Sequence, residues 1–232
     1  MSVADAVQRV QALIDTHERT WNRAPGSTAL LAVGKRKPAG DLRAAIDAGL
    51  RRFGENYLDE AVGKIDEIGR CAPDGSALEW HYIGAIQSRK SAGIAERFDW
   101  VHGVDRLKVA SKLSGRRVQT HDEPLSVCLQ VNPDGEAGKA GVAPEALEEL
   151  AGEVAALPGL VLRGVMSIPA PRERFDDQRE VFARLHELQR ALARHHPSVD
   201  TLSCGMSGDL EAAIAEGSTL VRVGTALFGA RE

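Results

Sequence analysis

From residue 29 onward the chain switches repeatedly between two hydrophobic periods. Short apolar runs fall at about residues 29 to 34, 51 to 54, 79 to 84, 99 to 103, 125 to 131, 161 to 168, 199 to 203 and 219 to 223. Runs of this length bounded by turn residues predict strands. Between them apolar residues recur at helical spacing: Leu42, Ala45, Ile46 and Gly49; Leu147, Leu150, Val154 and Leu157; Val181, Leu185, Leu188 and Leu192; Leu210, Ala213, Ile214 and Gly217. The other connections carry the helical period more weakly. Val3, Val7, Val10 and Ile14 predict an opening amphipathic helix that ends before Arg23-Ala24-Pro25-Gly26, so residues 1–22 precede the repeating part.

Eight strands alternating with helices in 232 residues predict an α/β fold, a single (β/α)8 TIM barrel with an extra N-terminal helix, over residues 1–232 as one domain. An open doubly wound sheet is the alternative, but no GxGxxG follows the first strand. In a barrel the chemistry belongs at the carboxyl ends of the strands. Lys35, Asn56, Gly84, Lys139, Ser167, Ser203 and Gly224 then share one rim.

Lys35 closes the run Leu30-Leu31-Ala32-Val33-Gly34. An ammonium at the end of a buried strand loses hydration, which lowers its pKa and frees an amine able to attack an aldehyde. The alternative is a solvated charge at a strand end, and spacing does not separate Lys35 from Lys37.

Gly205-Met206-Ser207-Gly208-Asp209 precedes the Leu210 helix. Ser207 is expected to cap that helix, and the glycines let an anion approach free backbone N–H groups. Arg222-Val223-Gly224-Thr225 ends the last strand. The loops after strands seven and eight are a frequent phosphate site in TIM barrels, so the two segments together predict a phosphorylated ligand. Arg222 lies mid-strand and is expected to point inward, either into an ion pair with a neighbouring strand or toward a ring nitrogen of a cofactor. Glu55, Asn56 and His81 are candidates for polar lining at the rim, with His81 read as a satisfied core residue.

Composition narrows the classes. With 29 basic and 33 acidic residues the formal net charge is -4, which offers no field for nucleic acid or an anionic membrane. Three cysteines, Cys71, Cys128 and Cys204, form no CxxC pair, and no HExxH spacing occurs, so neither a disulfide framework nor a metal is expected. No apolar run approaches the roughly 18 residues of a membrane span. A cytoplasmic protein is expected.

The segments LLAVGKRKP, RRFGENYLDE, EWHYIGAIQSRK, GKAG, LRGVMSIP and LSCGMSGDLEAAIAEGSTLVRVGTALFGAR together resemble the single-domain pyridoxal 5'-phosphate homeostasis proteins, relatives of the barrel domain of bacterial alanine racemase. The resemblance implies pyridoxal 5'-phosphate as cofactor, carried as an internal aldimine by Lys35 rather than Lys37. It implies a phosphate cradle at Ser207, Gly224 and Thr225 with Ser203, a pyridine-nitrogen contact at Arg222 and a polar contact near the ring at Asn56. Lys139 matches a lysine near the family's site. Gly34 stands where the family has serine, which is expected to loosen the backbone before Lys35, and Arg89 stands where asparagine is common.

An arginine at the ring nitrogen donates without surrendering its proton, which leaves the ring a poor electron sink. The related racemases add a second domain with a catalytic tyrosine, whereas Tyr57 and Tyr82 both lie in the barrel region. The expected function is therefore intracellular cofactor homeostasis, by buffering or delivery to apo-enzymes, with little or no catalysis and in a monomer. A racemase or lyase acting on amino acids, and a barrel acting on a sugar phosphate, are the alternatives.

Overall fold

The computed structural model describes residues 2–229. Eight parallel strands form a closed barrel in sequence order. They are β1 Ala29–Val33, β2 Arg52–Glu55, β3 Glu79–Tyr82, β4 Trp100–Val104, β5 Leu125–Val131, β6 Leu160–Ser167, β7 Thr201–Ser203 and β8 Leu220–Val223. The expected TIM barrel is what forms, and each predicted strand matches an observed one. Closure comes from β1 on β8, where Leu31 pairs with Arg222 and Ala32 with Val223.

The opening helix α1 spans Val3–Thr20, started by a capping box between Ser2 and Asp5. Helices α2 Ala39–Asp47, α3 Leu58–Ile68, α4 Ser91–Arg97, α5 Leu107–Thr120, α6 Leu147–Ala155, α7 Phe175–His195, α8 Leu210–Ala215 and α9 Thr225–Phe228 complete the chain. The connections with a weak helical period, α3 to α5, are helices as well. Their apolar faces are short, but packing on the barrel supplies the stability that periodicity alone does not.

α1 is tied to the barrel through a buried carboxylate. Glu18 is 2% exposed and accepts from the N–H groups of Gly26 and Thr28 at 2.8 and 2.7 Å. Three charge-assisted bonds, the third from Ser27, satisfy it and fix the entry to β1.

Two apolar regions result from the pleat. Phe53, Trp80, Val101 and Leu129 face outward into the large core between strands and helices, while Leu31, Val33, Ile83 and Leu220 pack together inside the barrel. Alternation along β1 carries the inward face from Leu31 and Val33 to Lys35. The same alternation in β2 turns Gly54 inward, where an added Cβ would lie 3.1 Å from Ile83 and Leu31, and sends Glu55 behind the wall toward α3.

Candidate ligand site at the carboxyl rim

A pocket of about 260 Å³ opens at the carboxyl ends of β1, β2 and β8. Lys35, Asn56, Ser207, Arg222, Gly224 and Thr225 line it, as does Lys37. The register explains the convergence: with Leu31 level with Arg222, the four residues that carry β1 to Lys35 also carry β8 to α9. Among the described lining residues there are three cations and no carboxylate. A chain of net charge -4 thus gathers three basic side chains at one mouth. Val33, Ile83 and Ile168 add an apolar wall.

The turn that carries Lys35 is anchored from behind. The carbonyl of Gly34 accepts from the Lys37 N–H at 3.0 Å, and the Gly34 N–H donates to Gly54 at 3.0 Å. Lys64 of α3 reaches the same carbonyl at 2.7 Å while donating to Glu55 at 2.8 Å and Glu60 at 2.5 Å. Glu60 in turn accepts from the Arg36 N–H at 2.6 Å, and Arg36 holds φ 59°, a left-handed conformation rare for a side chain of its size. The structure therefore corrects the expectation that Gly34 loosens this backbone. A Cβ there would stand 2.7 Å from the Glu55 carboxylate and 3.1 Å from Leu42, so a larger residue would need those side-chain ends to shift.

Burial raises the Glu55 carboxyl from 4.5 to about 7, and the opposing pull of Lys64 does not cancel it. Glu55 Oε2 has no hydrogen-bond partner. Lys35 also acts on this carboxyl by its charge, so the group behind the strand is electrostatically coupled to the lysine in the pocket.

Arg222 is 4% exposed and points inward, as expected. It has no carboxylate within ion-pair distance among the described residues, so the ion-pair alternative is not what forms. Nη1 donates to the Ser203 carbonyl at 2.6 Å and to Ser203 Oγ at 2.8 Å, and Nη2 donates to the Ser167 carbonyl at 2.8 Å. Three of five N–H donors are used in these bonds, and Arg222 also lines the pocket.

Ser203 does not line the pocket. It is fully buried beneath Arg222, because β7 is only three residues long and its last residue still faces the barrel interior. Ser207 lines the pocket without capping α8. The N-cap is Asp209, whose Oδ1 accepts from the Met206 N–H at 2.6 Å and leaves the Ser207 hydroxyl to the mouth. The first-turn N–H groups of α9, at Thr225 and Ala226, lack intrahelical acceptors. Gly224 keeps β8 close to β1, since its Cβ would lie 3.3 Å from the Val33 carbonyl.

Asn56 Oδ1 is buried at this pocket with no hydrogen-bond partner. A buried amide without a partner costs about 1–3 kcal/mol, which a ligand donor would offset. Gly84, two residues past β3, packs on the Asn56 backbone: a Cβ there would meet the Asn56 carbonyl at 2.3 Å. Lys139 is exposed and paired with Glu136. Ser167 is buried and donates to the Val131 carbonyl. His81 lies inside the barrel, 1% exposed, and not at this rim.

Residue types alone did not single out Glu60, Lys64 or His102. Lys64 follows Glu60 by four positions in the α3 pattern, an ordinary surface pair by spacing. Only its burial gives it another meaning.

The family model for the N-terminal domain of alanine racemase matches residues 9–232. The pyridoxal phosphate homeostasis protein of Pseudomonas aeruginosa is 52% identical over 231 residues, covering 100% of this chain and 96% of that one. The protein of the same description from Escherichia coli K12 is 46% identical, covering 99% and 97%. Among solved structures, PipY of Synechococcus elongatus PCC7942 with PLP bound has a TM-score of 0.83 at 32% identity, covering 98% of this chain and 100% of that one. Alanine racemase from Corynebacterium glutamicum has a TM-score of 0.68 at 19% identity over 64% of its own length, a likeness of fold.

Proposed function

Because the chain belongs to the alanine racemase N-terminal domain family, and within it to the pyridoxal phosphate homeostasis proteins, we propose that it binds pyridoxal 5'-phosphate at the carboxyl rim and stores or delivers it. The observation that carries this reading is one pocket uniting a lysine amine, a buried arginine and a hydroxyl-and-amide rim, with no carboxylate among its described lining residues. Those features suit a short planar aldehyde that bears a phosphate. The buried, unpartnered Oδ1 of Asn56 suits a polar substituent on the same ring.

In this reading Nζ of Lys35 would hold the aldehyde carbon, a C=N bond replacing C=O as water leaves. Ser207, Thr225 and the backbone N–H groups after Gly224 would hold the phosphate dianion. Arg222 would donate to the ring nitrogen and keep its own proton, which would weaken the electron withdrawal that turnover of an amino acid requires. Little or no catalysis is the consequence, and the fitting role is homeostasis by a monomer that buffers the cofactor or passes it to apo-enzymes.

Addition of pyridoxal 5'-phosphate to the purified protein is expected to give a visible absorbance band that Lys35→Ala abolishes. Borohydride reduction followed by peptide mapping should place the adduct on the peptide containing Lys35. An adduct retained at full stoichiometry in Lys35→Ala would overturn the assignment. Amino-acid turnover at ordinary enzyme rates, roughly 1 to 10³ per second, would defeat the carrier reading.

A further inference from the structure

The barrel interior holds two fully buried histidines that the ligand site does not use. His102 Nδ1 lies 2.9 Å from Ser203 Oγ, the hydroxyl that accepts from Arg222, and His102 Nε2 lies 3.0 Å from His81 Nδ1. His81 Nε2 is buried with no well-formed hydrogen bond, and Glu79 Oε2 is 3.4 Å away at the opposite mouth. The His81 ring stacks on Trp100 with centroids 5.4 Å apart, which leaves its edges for these contacts. The hydrogen bonds therefore run from Arg222 through Ser203 and His102 to His81, whose Nε2 faces Glu79 across a last gap of 3.4 Å.

The donor at each step follows from chemistry. Arg222 can only donate, so Ser203 Oγ accepts from it. The Ser203 proton then needs an acceptor, and among the described residues His102 Nδ1 is the one at hydrogen-bond distance. Leaving a buried hydroxyl proton unpaired costs about 1–3 kcal/mol, enough to decide the direction. Burial holds both histidines neutral: it depresses His102 well below the usual imidazole range, aided by His81 and Arg222, and depresses His81 against the pull of Glu79. A neutral His102 that accepts at Nδ1 carries its proton on Nε2 and donates to His81 Nδ1. His81 then carries its proton on Nε2, directed at Glu79.

We propose that Ser203, His102 and His81 are positioning residues for Arg222, a one-way hydrogen-bond chain that couples its guanidinium to the Glu79 carboxylate across the barrel. Every donor in the chain points away from the cation and toward the anion. Arg222 makes no ion pair among the described residues and feels the charge of Asp209 from its own side; the aligned dipoles add a path toward the carboxylate at the mouth lined by Arg52, Trp100, Arg163 and Asp200. The orientation and donor strength of Arg222 in the ligand pocket are thus set partly from the other end. The coupling to a bound cofactor rests on the proposed function, whereas the chain itself does not.

Two measurements test these parts separately. In ¹⁵N-labelled protein without cofactor, His81 and His102, assigned with His81→Gln and His102→Gln, should both be neutral with the proton on Nε2 while exposed histidines titrate. An Nδ1–H tautomer or a protonated ring at either position near pH 6 would overturn the chain. With pyridoxal 5'-phosphate, Ser203→Ala should weaken binding roughly two- to tenfold, the worth of one hydrogen bond, and shift the absorbance band. His102→Leu should do the same, and His102→Gln should recover the band because its amide accepts toward Ser203 and donates toward His81. An unchanged band and affinity in folded Ser203→Ala, the mildest substitution, would refute the positioning role even if His102→Leu does not fold. Wild-type protein that takes up no cofactor would defeat the proposed function and leave the tautomer result standing.

Discussion

Replacing Glu55 with glutamine should stabilise the protein, chiefly at high pH. Burial lifts this carboxyl from 4.5 to about 7 although Lys64 sits 2.8 Å away. The upward shift means that the folded state prefers the protonated acid. Its contribution is complete below about pH 4.5 and is lost as pH rises through 7. The difference of 7 - 4.5 corresponds to about 3 kcal/mol. Glutamine keeps the shape and cannot ionise. Glu55→Gln should therefore exceed the wild type by about 1 kcal/mol or less at pH 5 and by about 3 kcal/mol at pH 8. Urea unfolding of cofactor-free protein at both pH values, followed by tryptophan fluorescence, measures the difference without ligand stabilisation. A variant no better at pH 8 than at pH 5, relative to wild type, would refute the reasoning. It would mean that the attraction of Lys64 outweighs desolvation and that Glu55 is ionised throughout.

Lys64→Met should cost about 3–5 kcal/mol at pH 8, because it strips the cation from a buried carboxylate. The loss should be smaller at pH 6, where Glu55 takes up a proton, and urea unfolding at the two pH values reads the contrast. Gly84→Ala drives a methyl to 2.3 Å from the Asn56 carbonyl, so it should cost about 1–3 kcal/mol. Spectral titration should show weaker uptake of pyridoxal 5'-phosphate by the same variant. Burial pushes the thiols of Cys128 and Cys204 up to about 12, while Cys71 is exposed. A thiol reagent should label Cys71 alone in the native protein and all three cysteines in denaturant, as peptide mapping would show.

Most strands were legible because they are short, mainly apolar runs, and in a parallel barrel covered by helices that signal is little diluted by a solvent face, although β2 and β3 also carry charged residues. Lys35, Asn56, Ser207, Arg222, Gly224 and Thr225 were legible because barrel topology assigns strand ends to one rim, where one pocket joins them. Ser203 and the capping role of Ser207 were misread for local reasons. A shift of one or two residues at a strand or helix end decides whether a side chain meets the pocket or the interior, and residue type does not reveal that shift.

By itself the sequence determined the alternation of periods, hence the barrel, and the chemistry-bearing residues at its rim, since both follow from local order along the chain. Tertiary structure decided which polar groups are buried together. His102 meets Ser203 across 101 positions, and Lys64 meets the Gly34 carbonyl across 30. No local pattern encodes such pairs. They depend on the register between strands and on the side of the wall each residue faces, and the loss of water there turns an ordinary glutamate into a carboxyl that titrates near neutrality and aligns two histidines behind an arginine.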